Sequence, residues 1–187
     1  MLNYNQALKK NYLSKDLQIE EIDSILKLNI RGKKREFISA VGKSLNIILP
    51  TEANTSTQNG RLTAIWLSPD EWMIFSNNKI HKDTNILEIK NLLIKNISKI
   101  NLGAVTDATD QFVLIKLSGD KIYELFSTGS PFNFNDFQNK TGSVTQTLLA
   151  KIDVIIHNID KKNVNLFVRR SFSEHLFSWI NDSASRL

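Results

Sequence analysis

The stretch Trp66-Leu-Ser-Pro-Asp-Glu-Trp72 constrains the fold more than any other segment of this chain. Two apolar runs, Arg61 to Leu67 and Trp72 to Ser76, flank Ser-Pro-Asp-Glu, and proline's fixed φ suits the second position of a type I turn. The pattern predicts a β-hairpin with a four-residue connection. Its two indoles start their strands close together, where a cross-strand aromatic pair adds roughly 0.2–1 kcal/mol to simple burial. Trp66 and Trp72 therefore read either as a structural clamp or as a platform for a ligand or partner, because large aromatics dominate cores and interfaces alike.

A chain of 187 residues can bury about 70% of its unfolded surface without staples. It has no cysteine, which excludes disulfides, thiolate metal sites and cysteine nucleophiles. Lys9 and Lys10 have no apolar stretch behind them, so the N-terminus is expected to be neither a secretory signal nor an anchor. No run approaches the ~18 apolar residues of a membrane span. The expectation is a soluble, cytoplasmic protein. The net charge of +5 is spread thinly, with one cluster at Arg31-Gly-Lys-Lys-Arg35, whereas nucleic-acid binding concentrates bases on one face; nucleic acid is not expected as a partner.

Residues 1–23 read as a weakly structured N-terminal arm, and 24–187 as a single compact domain, alternatively two intertwined sub-halves. Leu26, Leu28 and Ile30 alternate with Lys27, Asn29 and Arg31, the pattern of a half-buried strand. Phe37, Val41 and Leu45 recur at spacing four and predict a helix from about Arg35 to Leu45. Thr51 to Gly60 reads as a polar loop. Asn77 to Asp83 is a second loop, and Asp83 or Thr84 caps a helix carrying Ile86, Ile89, Leu93 and Ile97. Ala104 to Ala108 and Phe112 to Leu117 read as an antiparallel pair around Thr109-Asp110. A short helix, Lys121 to Ser127, ends at Gly129, and an extended segment with Phe132 and Phe134 follows. Thr145 to His157 and Val164 to Val168 read as central strands. Ser171-Phe-Ser-Glu174 has the form of a capping box, opening a helix with Phe172, Leu176, Trp179 and Ile180 on one face. Strands and helices alternate irregularly, so the fold class is α+β, with mixed, mostly antiparallel sheets and packed helices.

Few residues suggest chemistry. His81, His157 and His175 lie far apart in sequence without ligand spacing. Single glycines at 32, 42, 60, 103, 119, 129 and 142 assemble neither a dinucleotide fingerprint nor a P-loop. Asp70-Glu71 and Asp107 with Asp110 read as turn residues. Arg169-Arg170 before a helix start is the best candidate anion site, although Glu174 would compete for the same N–H groups.

Seven ordered segments carry a family resemblance. They are Leu28-Asn-Ile-Arg-Gly32, Leu49-Pro50 with Asn54, Trp66 to Trp72, Ile115-Lys-Leu-Ser-Gly119, Ser130-Pro131-Phe132, Gln146-Thr-Leu-Leu-Ala150, and Phe167-Val-Arg-Arg-Ser-Phe172 with Trp179. Together they resemble the gamma subunit of heterotetrameric sarcosine oxidase. The resemblance implies a fold like the folate-binding domain of aminomethyltransferases and a place beside alpha, beta and delta subunits. It implies that FAD, FMN, NAD and tetrahydrofolate belong to the partner subunits and that this chain is structural. Folate-binding relatives carry a Gly-Gln-Glu type segment where this chain reads Val144-Thr-Gln-Thr147, without the acidic residue, so folate binding by this chain is not expected, and with no flavin or nicotinamide motif present no cofactor is expected here. A subunit of a related N-methyl amino acid oxidase or dehydrogenase, and a free-standing folate or tRNA-modification module, are the alternatives. Trp66, Trp72, Phe132, Phe134, Arg169 and Arg170 are the candidate core and docking residues.

Overall fold

Among the described residues, eleven strands and four α-helices fall in two compact units, described separately: Ser24–Asp110, and the discontinuous pair Met1–Asp23 with Gln111–Leu187. The structure, a computed structural model, describes residues 6–8, 11–22, 25–77 and 85–187, with backbone alone at 85–87. His81, the Asp83 or Thr84 cap and most of the loop expected at Asn77 to Asp83 lie outside these residues, as do Lys9 and Lys10 and the side chain of Ile86.

The unit Ser24–Asp110 holds a sheet of five strands: β3 (Lys27–Arg31), β4 (Ser56–Gln58), β5 (Leu62–Ser68), β6 (Glu71–Ser76) and β7 (Ala104–Asp107), in the order β4-β5-β6-β3-β7. Helix α1 spans Arg35–Leu45, the predicted bounds, and buries Phe37, Val41 and Leu45. Helix α2 spans Asn85–Asn96, and Leu93 and Ile97 are fully buried with Ile89 packed beside them. Leu28, Ile30, Ala64, Trp72 and Ile74 complete this core from the sheet. The Trp hairpin is β5–β6, with Trp66 directly opposite Trp72. Its connection is shorter than expected, only Pro69-Asp70, because Ser68 pairs with Glu71 across a register shift after Trp66. Neither turn residue has positive φ, so the turn does not match the twist of the strands by itself, and the bulge absorbs the difference.

The other unit holds a six-stranded sheet, β1 (Tyr12–Leu13), β2 (Leu17–Ile22), β8 (Phe112–Gly119), β9 (Val144–Leu149), β10 (Ile152–Asp160) and β11 (Asn163–Arg169), ordered β1-β2-β8-β11-β10-β9. Helices α3 (Ile122–Ser127) and α4 (Arg170–Ala184) contribute Ile122, Leu125, Phe126, Leu176 and Ile180 to a core shared with Val113, Ile115, Leu117, Val154, Ile156 and Val164.

Several expectations change. The N-terminal arm is part of the sheet: Leu17, Ile19 and Glu21 alternate inward with Gln18 and Glu20 outward, and β2 pairs with β8 from Leu17↔Gly119 to Ile22↔Leu114. The chain boundaries of the two units fall near 23 and 110. Ala104 to Ala108 and Phe112 to Leu117 are not partners, since β7 pairs with β3 and β8 lies between β2 and β11; alternation fixes which face a side chain takes, not which strand lies alongside. The run Thr145 to His157 is two strands, β9 at an edge and β10 inside, joined by Ala150-Lys151, both at positive φ of 52° and 65°. A mirror-image hairpin turn normally announces itself by Asn-Gly or Asp-Gly, and this one does not. The loop Thr51 to Gly60 contains the edge strand β4.

Candidate functional site

Each candidate residue now has a place. Trp72 is 2% exposed, and its indole Nε1 donates to the Pro50 carbonyl at 2.8 Å. Its ring meets Phe37 at 5.9 Å between centroids. Trp66 is half-buried on the same core. The clamp reading therefore fits Trp72, which ties the hairpin to the Leu49-Pro50 segment and to α1. Beside it, Arg31 reaches Asp70 and Glu71 at 3.7 and 3.8 Å, and Lys33 reaches Asp70 at 3.8 Å. Half of the basic cluster is thus matched by the two acids of the hairpin turn. The Ser68 hydroxyl bond, followed by these cations, holds the Asp70 carboxyl below the ordinary carboxylate range.

Phe132 and Phe134 join Tyr123, Phe126 and Phe137 in one aromatic cluster, with the Phe132 and Phe134 centroids 5.0 Å apart and edge-on. Phe134 is 3% exposed and Phe132 half-buried, which makes Phe134 a core residue and Phe132 a lid over it. Asn158 lies under this cluster, fully buried. Its Nδ2 donates to the carbonyls of Phe137 at 2.7 Å and Lys140 at 2.9 Å, and its Oδ1 accepts the Tyr123 hydroxyl at 3.0 Å. Burial and the nearby Asp160 charge push the Tyr123 phenol well above its usual range. Sequence reasoning missed Asn158. The available signal was an amide that continues the inward-facing series Ile152, Val154 and Ile156 of β10, and a buried amide has to be satisfied to be tolerated.

Arg169 and Arg170 fall in different elements. Arg169 ends β11 with its guanidinium over the Phe112 ring at 5.8 Å, beside a surface cleft that Gln146, Leu148, Asp153 and Ile155 also line. Arg170 already lies in the helix, and its N–H donates to Gln111 O at 2.9 Å. The capping box is absent. Helix α4 follows β11 without a break, Arg169 takes the cap position with no side-chain bond, and Ser173 instead donates to Arg170 O at 2.7 Å. That register places Ser171 and Glu174 two residues too late for reciprocal capping. It also turns the helix, so that Ser173, Leu176, Ile180 and Ala184 face inward while Phe172 is 49% exposed. Trp179 packs against Gly129, where an added Cβ would stand 2.4 Å from the indole.

Two further ionisable groups, Lys27 and His157, are buried. Lys27, expected on the open side of its strand, is 1% exposed and donates to the carbonyls of Ile25 at 3.3 Å and Thr109 at 3.0 Å. His157 is buried with Asn165 Nδ2 3.4 Å from its Nδ1, and desolvation pushes its pKa down to about 4. His175 lies on the exposed side of α4. Among the described residues no group of three or more His, Asp and Glu stands close enough to hold a metal ion, and no helix is long and apolar enough to cross a membrane.

No curated protein matches the sequence. The profile of the sarcosine oxidase gamma subunit family, however, matches residues 31–186. The chain belongs to that family. Its fold is similar to heterotetrameric sarcosine oxidase from Corynebacterium sp. U-96 in complex with pyrrole 2-carboxylate, with a TM-score of 0.81 and 18% identity over 91% of this chain and 84% of that one. It is also similar to glycine cleavage system aminomethyltransferase T from Bartonella henselae, with a TM-score of 0.60 and 14% identity, covering 88% of this chain and 45% of that one. This gamma-subunit family member thus has the aminomethyltransferase-like α+β fold expected from its sequence.

Proposed function

We propose that the chain works as the gamma subunit of a heterotetrameric sarcosine oxidase, in the cytoplasm, beside alpha, beta and delta subunits. That assembly converts sarcosine to glycine, reduces oxygen to hydrogen peroxide and passes the methylene carbon to tetrahydrofolate. In this reading the chain is structural: FAD, FMN, NAD and the folate belong to the larger subunits, and this chain supports their geometry. The observation that carries the reading is the family match over residues 31–186, which runs through both units. The roles of the candidate residues are consistent with it. Trp72, Phe134 and Asn158 are committed to packing, and the three histidines are scattered in the sequence.

Titrating the purified chain with FAD, FMN and tetrahydrofolate tests the structural assignment. No saturable binding is expected by the isolated chain, while the assembled complex carries its full complement of flavin. Stoichiometric flavin or folate binding by the isolated chain would overturn it.

A further inference from the structure

Arg169 and Asp153 are oppositely charged neighbours that do not pair. The β10–β11 ladder runs out to Val154↔Val168, so Asp153 and Arg169 are the next residues on the two strands, opposite one another and on one face of the sheet. Opposite side chains start about 5 Å apart, close enough for an ion pair. The other sheet uses the same relation: Arg31 lies opposite Glu71 and pairs with it at 3.8 Å. Here both groups are exposed, and among the described residues neither has an ion-pair partner. Arg169 leans the other way, over the ring of Phe112, its opposite residue on β8.

The two charges line one surface cleft of about 500 Å³, a volume within the range of small-molecule sites. No other charged residue lines it; Gln146 and Thr147 add polar groups, and Phe112, Pro131 and Leu148 add apolar surface. A guanidinium held on an aromatic ring keeps its N–H fork for a carboxylate, while the Asp153 carboxylate accepts from an ammonium. One cation and one carboxylate side by side complement a zwitterion. In a free α-amino acid both charged groups hang from a single carbon, so one small molecule answers both, whereas in a polypeptide these groups are used up in peptide bonds. Leu148 lies opposite Asp153 and is 40% exposed, so the apolar wall stands next to the end of the cleft that takes the ammonium.

We propose that this cleft binds a free α-amino acid with an apolar side chain, its carboxylate on the Arg169 guanidinium, its ammonium on the Asp153 carboxylate and its side chain against Leu148 and Pro131. The site goes beyond the subunit reading and does not depend on it. The test is calorimetric titration of the full chain, as wild type, Arg169→Gln and Asp153→Asn, with L-leucine, with N-acetylleucine, which lacks the ammonium, and with leucinamide, which lacks the carboxylate. Wild type is expected to take up leucine saturably and to bind each derivative at least about tenfold more weakly. Each variant should lose about tenfold in leucine affinity, while Arg169→Gln leaves leucinamide binding unchanged and Asp153→Asn leaves N-acetylleucine binding unchanged, a pattern that a merely structural role would not produce. Absence of saturable leucine binding by wild type overturns the site and leaves the subunit reading standing, as does equal affinity for leucine and its two derivatives, a comparison that needs no variant to fold. Glycine bound as tightly as leucine overturns the apolar side chain. If leucine does not bind but Arg169→Gln lowers recovery of the chain with its co-expressed subunits, the cleft belongs to a partner segment and the amino acid assignment is overturned.

Discussion

Trp72 donates its indole N–H to the carbonyl of Pro50 at 2.8 Å, 22 residues back along the chain. That bond joins the hairpin to the segment ending at Leu49-Pro50, and the 2% exposure of the ring means that no water can replace it. Trp72→Phe keeps most of the packing and leaves one buried carbonyl unsatisfied, so urea denaturation should show a loss of about 1–2 kcal/mol. Trp72→Ala adds a cavity and should cost about 3–5 kcal/mol. A Trp72→Phe variant as stable as wild type would show that the bond contributes nothing.

Asn158 satisfies two backbone carbonyls and one phenol at once. Asn158→Leu removes all three partners inside a closed site and should destabilise by about 3 kcal/mol or more, whereas Tyr123→Phe removes one and should cost about 1 kcal/mol. If denaturation gave the two variants equal losses, the hub would reduce to the single hydroxyl bond.

His157 gives the pH dependence. Its folded pKa, pushed down to about 4 by burial, lies below the ordinary 6.5, so between those values the unfolded chain binds a proton that the native chain refuses. Stability therefore rises with pH across this window: the contribution is complete above about pH 6.5 and is lost as pH falls toward about 4, for a total of about 3 kcal/mol. His157→Gln should flatten that part of the thermal-melting profile. An unchanged slope between pH 7 and pH 4.5 in the variant would place the pH dependence elsewhere.

Helix α4 makes a sharper contrast. Ser171 sits exposed in its first turn without a cap bond, while Ser173 is fully buried and bonded to Arg170 O at 2.7 Å. Ser171→Ala should change stability by less than about 0.5 kcal/mol, and Ser173→Ala should cost about 1 kcal/mol. The reverse order in thermal melts would restore the capping box.

The same comparison shows what the sequence makes legible. Helix α1 is readable to the residue because Phe37, Val41 and Leu45 repeat on one stripe and Asn46 suits a left-handed stop. The Trp hairpin is readable because Pro69 marks its turn. Strand partners are not: β7 and β8 adjoin in sequence, yet their hydrogen bonds go to different sheets. Turns built without Gly or Asn, such as Ala150-Lys151, give no local sign that a long apolar run folds back on itself. Side-chain burial against the pattern is equally hidden, since Lys27 is held by carbonyls that local alternation does not report. Among the candidate residues, Trp72 and Phe134 are buried in the cores of their units, and Arg169 and Arg170 fall in different elements.

If this chain is a stoichiometric structural subunit, native mass spectrometry of the complex co-expressed from all four subunits will show one copy of it in the intact assembly, and sarcosine-dependent peroxide formation will be lost when the chain is omitted because the complex fails to assemble. An active complex of the other three subunits that excludes this chain would contradict it.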